Sequence, residues 1–437
     1  MPRRLSRRDF LKVSLLGMFM AACRKIFSPT APASLREIPP TVSPSSTSTL
    51  ASTSTNVVGT SPVPTQALPQ ITSTIPNLPV PAFIIDGHED ISWNALEFGR
   101  DPRQSAFKVR EQERGTPVPG LVGGRTTGLP EYLVGRVGII FATLFVLPLA
   151  NAYPGYRAVT YATPSQAEAR AKEQIAYYRQ LATDEPHFRV IDSQAGLEEV
   201  VSSWLQPSPA KEPLVGLVFL MEGADPIINP DALEEWYQDG LRMLGLAWHA
   251  TRYSAGTGSP GPLTDLGRQL LLAMAERNMV LDLSHLAEEA FREAVDSYAG
   301  PMIASHSNPH KFLPTDRGLS DDMIRQLIGR DGVVGINLYD RFLKPGWQEG
   351  NQRKLVPLET VAAAIDYVTQ LAGSARHVAI GTDFDGGFGL NAIPDGMDSV
   401  ADLVKLIPLL DKRGYKREDI ENVMNGNWLR ILHRALA

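Results

Sequence analysis

From residue 81 onward, short apolar runs alternate with stretches whose apolar residues recur every three to four positions. Near-continuous apolar runs of strand length mark strands buried on both faces of a parallel sheet, and the intervening period marks helices that cover it. The pattern predicts strands at 83–87, 137–144, 214–221, 243–248, 279–283, 301–305, 332–337 and 377–381. Helical patterns lie at 165–181, 263–278, 288–299, 320–329 and 358–371, and two more, 400–413 and 417–436, follow the last strand. Eight parallel strands are the number that closes a barrel, so the fold class is α/β, a (β/α)8 TIM-type barrel. The Gly- and Pro-rich stretch 91–136 is an excursion at the barrel mouth, since a structureless connection of that length is unusual in a compact domain.

The first 80 residues break this pattern. In Ser6-Arg7-Arg8-Asp9-Phe10-Leu11-Lys12 a paired arginine precedes an uncharged run that ends at Cys23. That run is too short to span a ~30 Å bilayer core but has the length of a signal-peptide core. The segment resembles a twin-arginine export signal, and Met20-Ala21-Ala22-Cys23 resembles a bacterial lipobox, in which Cys23 is lipidated and becomes the mature N-terminus. The alternative is an ordinary small-residue cleavage site beside an incidental cysteine. From 28 to 80, ten Ser, ten Thr and ten Pro fill most positions and the only charges are Arg36 and Glu37. Such a segment buries too little apolar surface to offset its ordering entropy. The expected organisation is therefore a signal peptide at 1–22, an N-terminal disordered tether at 23–80, open to O-glycosylation, and a catalytic barrel at 81–437. The implied location is extracytoplasmic, on a membrane through an N-terminal lipid anchor.

Composition narrows the chemistry. The formal charge is −6, and residues 1–22 carry five basic side chains against one acidic, so the body is more acidic than the whole. An acidic surface offers no electrostatic footprint for nucleic acid. The single cysteine excludes an intramolecular disulfide and any multi-cysteine zinc or iron–sulfur site.

Catalytic groups of α/β barrels come from the C-terminal strand ends. His88 and Asp90 close the first predicted strand and Glu222 the third; His249, His285 and His306 follow the fourth, fifth and sixth, and Asp383 follows the eighth. Imidazole nitrogen and carboxylate oxygen suit a divalent transition metal, and a bridging carboxylate would hold two ions ~3.5–4 Å apart. For one histidine alone, a hydrogen-bonded, partly buried ring is the commoner arrangement; the ordered set at matching strand ends argues for a metal. His187 precedes a short strand pattern, His377 begins the eighth strand at the wrong end, His433 lies in the terminal helix and His310 in the loop after His306. These four are read as non-ligands.

Asp86-Gly87-His88-Glu89-Asp90, Glu222-Gly223, the Leu-Gly-Leu-x-x-His run ending at His249, Asp282 to His285, Ser305 to Ser307, Arg317 and Gly381 to Gly386 occur in one order. Together they resemble the membrane (renal-type) dipeptidases, zinc peptidases of the amidohydrolase superfamily. The likeness runs from about residue 83 to Gly426-Asn427-Trp428-Leu429-Arg430. It implies two Zn2+ per chain, with His88 and Asp90 on one, His285 and His306 on the other, and Glu222 bridging both. It further implies a metal-bridging hydroxide that attacks a dipeptide, with Asp383 in proton transfer, His249 stabilising the oxyanion, Arg317 binding the substrate carboxylate, and a homodimer.

Two departures are visible. Glu89 stands where the family often has Asn; its side chain is expected to point away from the metal, because His88 and Asp90 are two apart on one face. The run Thr315-Asp316-Arg317-Gly318-Leu319 lacks the family's usual Arg-Asn pair, and a surface ion pair between Asp316 and Arg317 is the alternative to substrate binding. Two other classes share these features: a different binuclear amidohydrolase, such as a lactonase or deacetylase, and a non-catalytic, lipid-tethered binding protein. The carboxylate-binding Arg317 argues against the first, and five metal ligands with Asp383 argue against the second.

Overall fold

A computed structural model describes residues 81–152, 156–206 and 212–437. The segments expected to be an export signal (1–22, followed by Cys23) and a tether (23–80) lie outside the described residues. The eight expected strands are all present: β1 Ile84–Glu89, β2 Val137–Phe145, β3 Val215–Glu222, β4 Leu241–Gly245, β5 Val280–Asp282, β6 Met302–Ala304, β7 Val333–Ile336 and β8 Val378–Ile380. They pair in sequence order, all parallel. The ring is nearly closed: a parallel bridge joins Glu89 to Phe384 beyond β8, and Asp383 N donates to His88 O at 3.1 Å. A short strand, Phe188–Val190, pairs with the first half of β3 on the edge that β4 takes over from Phe219.

The covering helices start where their caps dictate. Thr163, Ser193, Thr264 and Ser320 each accept a backbone N–H two or three residues into helices Pro164–Asp184, Gln194–Leu205, Asp265–Glu276 and Asp321–Gly329. The first buries Ala167, Ala171, Gln174, Ile175, Tyr178 and Leu181, a single stripe that packs on the sheet. Gln194–Leu205 was not among the expected helices. Its apolar residues Leu197, Val200, Val201 and Trp204 do recur at helical spacing, and Trp204 packs with the inner core instead of the outer one.

The barrel interior holds its own core. Ile85, Ile139, Phe141, Val218, Leu220, Met243, Val280, Ile303, Val333 and Ala379 meet Trp428, Ile431 and Leu432 of the terminal helix Asn427–Ala435. The expected continuous helix at 417–436 is interrupted by a π turn, Asn422–Gly426, after which Asn427 Nδ2 donates to Ala375 O and Val378 O and Trp428 Nε1 donates to Ile380 O at 2.8 Å. A π turn shifts the register of the following residues, and here it delivers Trp428 to the barrel axis. Beyond β6 the chain bends inward. A Cβ on Gly335 or Gly381 would lie 1.9 or 1.8 Å from the Ser305 carbonyl oxygen, so only glycine admits that approach.

The mouth excursion is not structureless. It forms four short helices, Ile91–Phe98, Ala106–Gln112, Val118–Val122 and Leu129–Gly135, each too short for its period to show in sequence. It is pinned to the loop after β8 by the Asp385 carboxylate, which accepts from the backbone and hydroxyl groups of both Thr126 and Thr127. No described helix is long and apolar enough to cross a membrane.

Candidate metal centre

Every barrel strand or the loop it feeds contributes a polar side chain to one end. His88 and Asp90 come from β1, Thr143 from β2, Glu222 from β3, His249 after β4, His285 after β5, His306 after β6, Asn337 after β7 and Asp383 after β8. The aim of His88 depends on a bulge. Between Asp86 and Glu89, β1 advances three residues while β2 advances two, so Gly87 and His88 both face inward and the alternation reverses beyond them. Glu89 accordingly turns outward, where Tyr132 Oη donates to its carboxyl.

The carboxylate of Glu222 lies at the centre, and its two oxygens face different partners. Oε1 is 3.1 Å from His285 Nε2 and 3.3 Å from His306 Nε2, whereas Oε2 is 3.7 Å from His88 Nε2. The two imidazole nitrogens of His285 and His306 are themselves 3.0 Å apart. Two groups able to hold a cation result, His88 with Asp90 and Glu222, and Glu222 with His285 and His306. In each group the ligand atoms lie within 4.8 Å of one another. A third combination, His88, Asp282 and His306, is different in kind. Asp282 is already saturated by Ser284 N at 3.0 Å, Ser305 N at 2.9 Å and Ser305 Oγ at 2.6 Å.

Hydroxyl groups fix the rings. Because Ser305 Oγ donates to Asp282, it accepts from His306 Nδ1, 2.8 Å away, which leaves the Nε2 lone pair aimed at the cluster. Thr143 Oγ1 donates to Asp90, and Asn337 Nδ2 donates to Asp383 Oδ2 at 2.8 Å.

The electrostatics of this set ask for positive charge. Burial works against a charged His88, yet Glu222, Asp90 and Asp383 hold its pKa up to about 10. Burial and the neighbouring carboxylates push Asp90 up to about 6 and Asp383 up to about 8. Burial together with the Arg317 guanidinium pushes His285 down to about 4, and burial with the charge on His88 lowers His306 further. The neutral imidazoles of His285 and His306 beside crowded carboxylates, with His88 Nε2 buried and without a hydrogen-bond partner and its proton standing where a cation would, are a donor set that fits a divalent transition metal.

The substrate-side residues are less uniform. Arg317 is buried and its Nη atoms donate to Ser307 Oγ at 2.7 Å and His306 O at 2.6 Å, while Nε–H has no partner among the described residues. It does not form the alternative ion pair with Asp316, whose carboxylate instead accepts from Gly258 N at 2.6 Å. His249 is half-buried, and its hydrogen bonds run to Ala250 and Ser259 rather than to Glu222 or the other rim histidines. Ala250 N–H donates to His249 Nδ1 at 2.8 Å, so the proton of the neutral ring is on Nε2. The four histidines read as non-ligands lie elsewhere: His187 between Glu185 and Glu212, His377 on Gly332 O, His433 beside Gln194, and His310 exposed.

The sequence profile of the membrane dipeptidases, peptidase family M19, matches residues 74–436. The chain belongs to the membrane dipeptidase family. It is therefore a metallo-hydrolase of the dipeptidase type. A relative in Klebsiella pneumoniae, described as a protein of the pqqA 5′ region, is 35% identical over 209 residues, 46% of this chain and 74% of that protein. The solved structure of the metallopeptidase called dipeptidase AC superposes with a TM-score of 0.66 at 26% identity, over 81% of this chain and 98% of that one. A metallopeptidase from Rhodobacter sphaeroides, solved with a phosphinate mimic of the dipeptide L-Ala-D-Ala, gives a TM-score of 0.65 at 25% identity over 81% and 99%.

Membership in the dipeptidase family leaves several groups around the site without a sequence-level assignment. Thr143 is a hydroxyl inside an otherwise apolar strand and Asn337 a polar strand end, both signals that could have drawn attention. Thr257, whose Oγ1 lies 3.1 Å from His285 Nδ1, gives no such signal, because its role exists only once a hairpin folds over the barrel mouth.

Proposed function

We propose that this enzyme is a binuclear zinc dipeptidase, with His88 and Asp90 on one ion, His285 and His306 on the other, and Glu222 shared. The observation that carries the reading is the division of Glu222, one oxygen toward His88 and the other toward His285 and His306. Two zinc ions held there would acidify water and polarise a carbonyl, the two things amide hydrolysis lacks near neutral pH.

The chain's own residues do the rest. Asp383 Oδ1 lies 3.9 Å from His88 Nε2, while its other oxygen is fixed by Asn337. A carboxylate so placed can take a proton from the nucleophile and return it to the leaving amine. The Nε2–H of His249 is the donor that a developing oxyanion requires, and substrate entry brings the carbonyl to it. Arg317 retains N–H donors beyond the two it uses, and a buried guanidinium selects a substrate whose free carboxylate lies close to the scissile bond. Export by the twin-arginine signal, lipid anchoring at Cys23 and homodimerisation belong to the same proposal.

The test uses L-Ala-D-Ala and its C-terminal amide, with zinc counted in the same preparation. About two ions per chain and strong preference for the acid are expected. Arg317→Ala should raise KM for the acid about 10- to 100-fold, the equivalent of a ~1.5–3 kcal/mol charge-assisted pair, and should narrow the gap between acid and amide. Equal turnover of acid and amide by the unaltered enzyme would point instead to another binuclear amidohydrolase activity, such as a lactonase or deacetylase.

A further inference from the structure

The loop after β4 carries an antiparallel hairpin, Ser254–Gly256 with Ser259–Leu263. Three consecutive residues at its tip reach three different functional elements. Thr257 Oγ1 lies 3.1 Å from His285 Nδ1 and 3.4 Å from the His285 carbonyl oxygen. Gly258, at φ +74°, donates its N–H to Asp316 at 2.6 Å, one residue before Arg317. Ser259 Oγ lies 3.3 Å from His249 Nδ1. The hairpin base is tied to the same region, through a bridge from Gly256 to Leu286 and a bond from Ala287 N to Ala255 O at 3.4 Å. His285 itself sits at φ +67°, a left-handed conformation that a side-chain-bearing residue keeps only when its surroundings impose it.

We propose that this hairpin tip is a positioning device which couples metal ligation at His285 to substrate capture at His249 and Arg317. The Thr257 hydroxyl donates to the His285 carbonyl and accepts from Nδ1–H, which turns the Nε2 lone pair toward Glu222 and His306. Asp316, in the loop after β6, accepts from Gly258 of the tip, and so fixes where that hydroxyl sits and holds the backbone beside Arg317. The substrate half of the proposal rests on the dipeptidase reading; the metal half does not.

Zinc affinity of the full-length protein, measured by chelator competition, tests Thr257. Thr257→Val keeps the shape and removes the hydroxyl, so one of the two ions should bind about 10- to 100-fold more weakly, and Thr257→Ser should restore binding. A valine variant with unaltered zinc affinity, or a serine variant as weak as valine, would overturn the role of Thr257. For the coupling, Asp316→Ala should raise KM on the order of 10-fold and weaken zinc binding in the same direction as Thr257→Val, while Asp316→Asn, which keeps an acceptor oxygen, should stay near the unaltered enzyme. Unchanged KM in Asp316→Ala would overturn the coupling. An unaltered enzyme that binds two zinc ions and cleaves no dipeptide would defeat the functional reading while the zinc series still judged Thr257.

Discussion

The two ends of this barrel are built from the same strands and share almost no chemistry. At the end where the strands begin, Ile85, Val218, Val280, Ile303 and Val333 close around Trp428 in an apolar plug. At the other end the same strands run into His88, Glu222, His285, His306 and Asp383, where hydroxyls and an amide hold His285, His306 and Asp383 in place and Glu222 faces the three imidazoles. The plug residues are fully buried and the rim residues mostly so, with His285 and Asp383 partly exposed, so exposure alone does not separate the two ends. What differs is how the interior is satisfied: at the plug by apolar packing with a few bonds to strand carbonyls, such as Trp428 Nε1–H to Ile380 O, and at the rim by a network needing a cation. Stability and chemistry are thereby assigned to opposite ends of the fold.

Substitutions at the two ends should therefore fail in opposite ways. The largest effect belongs to Glu222→Ala, which removes the carboxylate facing both ligand groups. Loss of both metal ions and of measurable dipeptide hydrolysis is expected, with folding retained by circular dichroism; an active variant with full metal content would break the rim assignment. Asp383→Asn comes next. It should lower kcat about 10²- to 10⁴-fold, the usual contribution of a proton-transfer group, and keep the metal, since Asp383 lies outside both ligand groups. Trp428→Ala reverses the pattern. A fully buried indole with a hydrogen bond to Ile380 O is lost from the plug, at a cost of about 3–5 kcal/mol. The melting temperature should drop on the order of 10 °C while kcat and metal content of the folded enzyme change little. A Trp428→Ala variant that melted normally but had lost metal would show that the two ends are not separable.

The same contrast explains what could be read from the chain. The strand count was legible because buried parallel strands leave long apolar runs, and all eight fell where those runs are; the entry of Trp428 into the barrel was not, because it depends on the π turn. The gathering of His88, Glu222, His285, His306 and Asp383 at one rim was legible because each lies at or just after the C-terminal end of such a run. Strict alternation, however, puts His88 on the face opposite Ile85, and only the bulge after Asp86 turns it inward; a single extra residue in one strand has no periodic trace. The four helices of the mouth went unread because they are short, whereas the spacing of Leu197, Val200, Val201 and Trp204 in Gln194–Leu205 was itself legible. The hydroxyls of Ser305, Thr143 and Thr257 matter through partners far along the chain, and no local pattern announces such a bond. Arg317 stood beside Asp316 in the sequence, yet the structure gives Asp316 to Gly258 and turns the guanidinium inward.

The smallest effect concerns a polar residue at the rim end that belongs to neither network. Asp340 follows β7 and begins the short helix Asp340–Leu343. Its carboxylate is buried, and neither oxygen has a hydrogen-bond partner among the described residues. Burial pushes its pKa from 3.8 up to about 8; Arg353 opposes the shift and Asp395 adds to it. The sign of the consequence follows from proton linkage. Between the unfolded value near 3.8 and the folded value near 8, the folded chain binds more protons than the unfolded one, so stability falls as pH rises through that interval. The contribution is fully present below pH 4 and gone above pH 8, opposite in direction to a salt-bridged carboxylate. Asp340→Asn is neutral throughout and should melt close to the unaltered protein at pH 5 but a few degrees above it at pH 8 to 9, by calorimetry at matched ionic strength. A melting difference that does not vary with pH would mean that Asp340 is paired or hydrated in solution. The rim end would then resemble the plug more closely than its buried charges suggest.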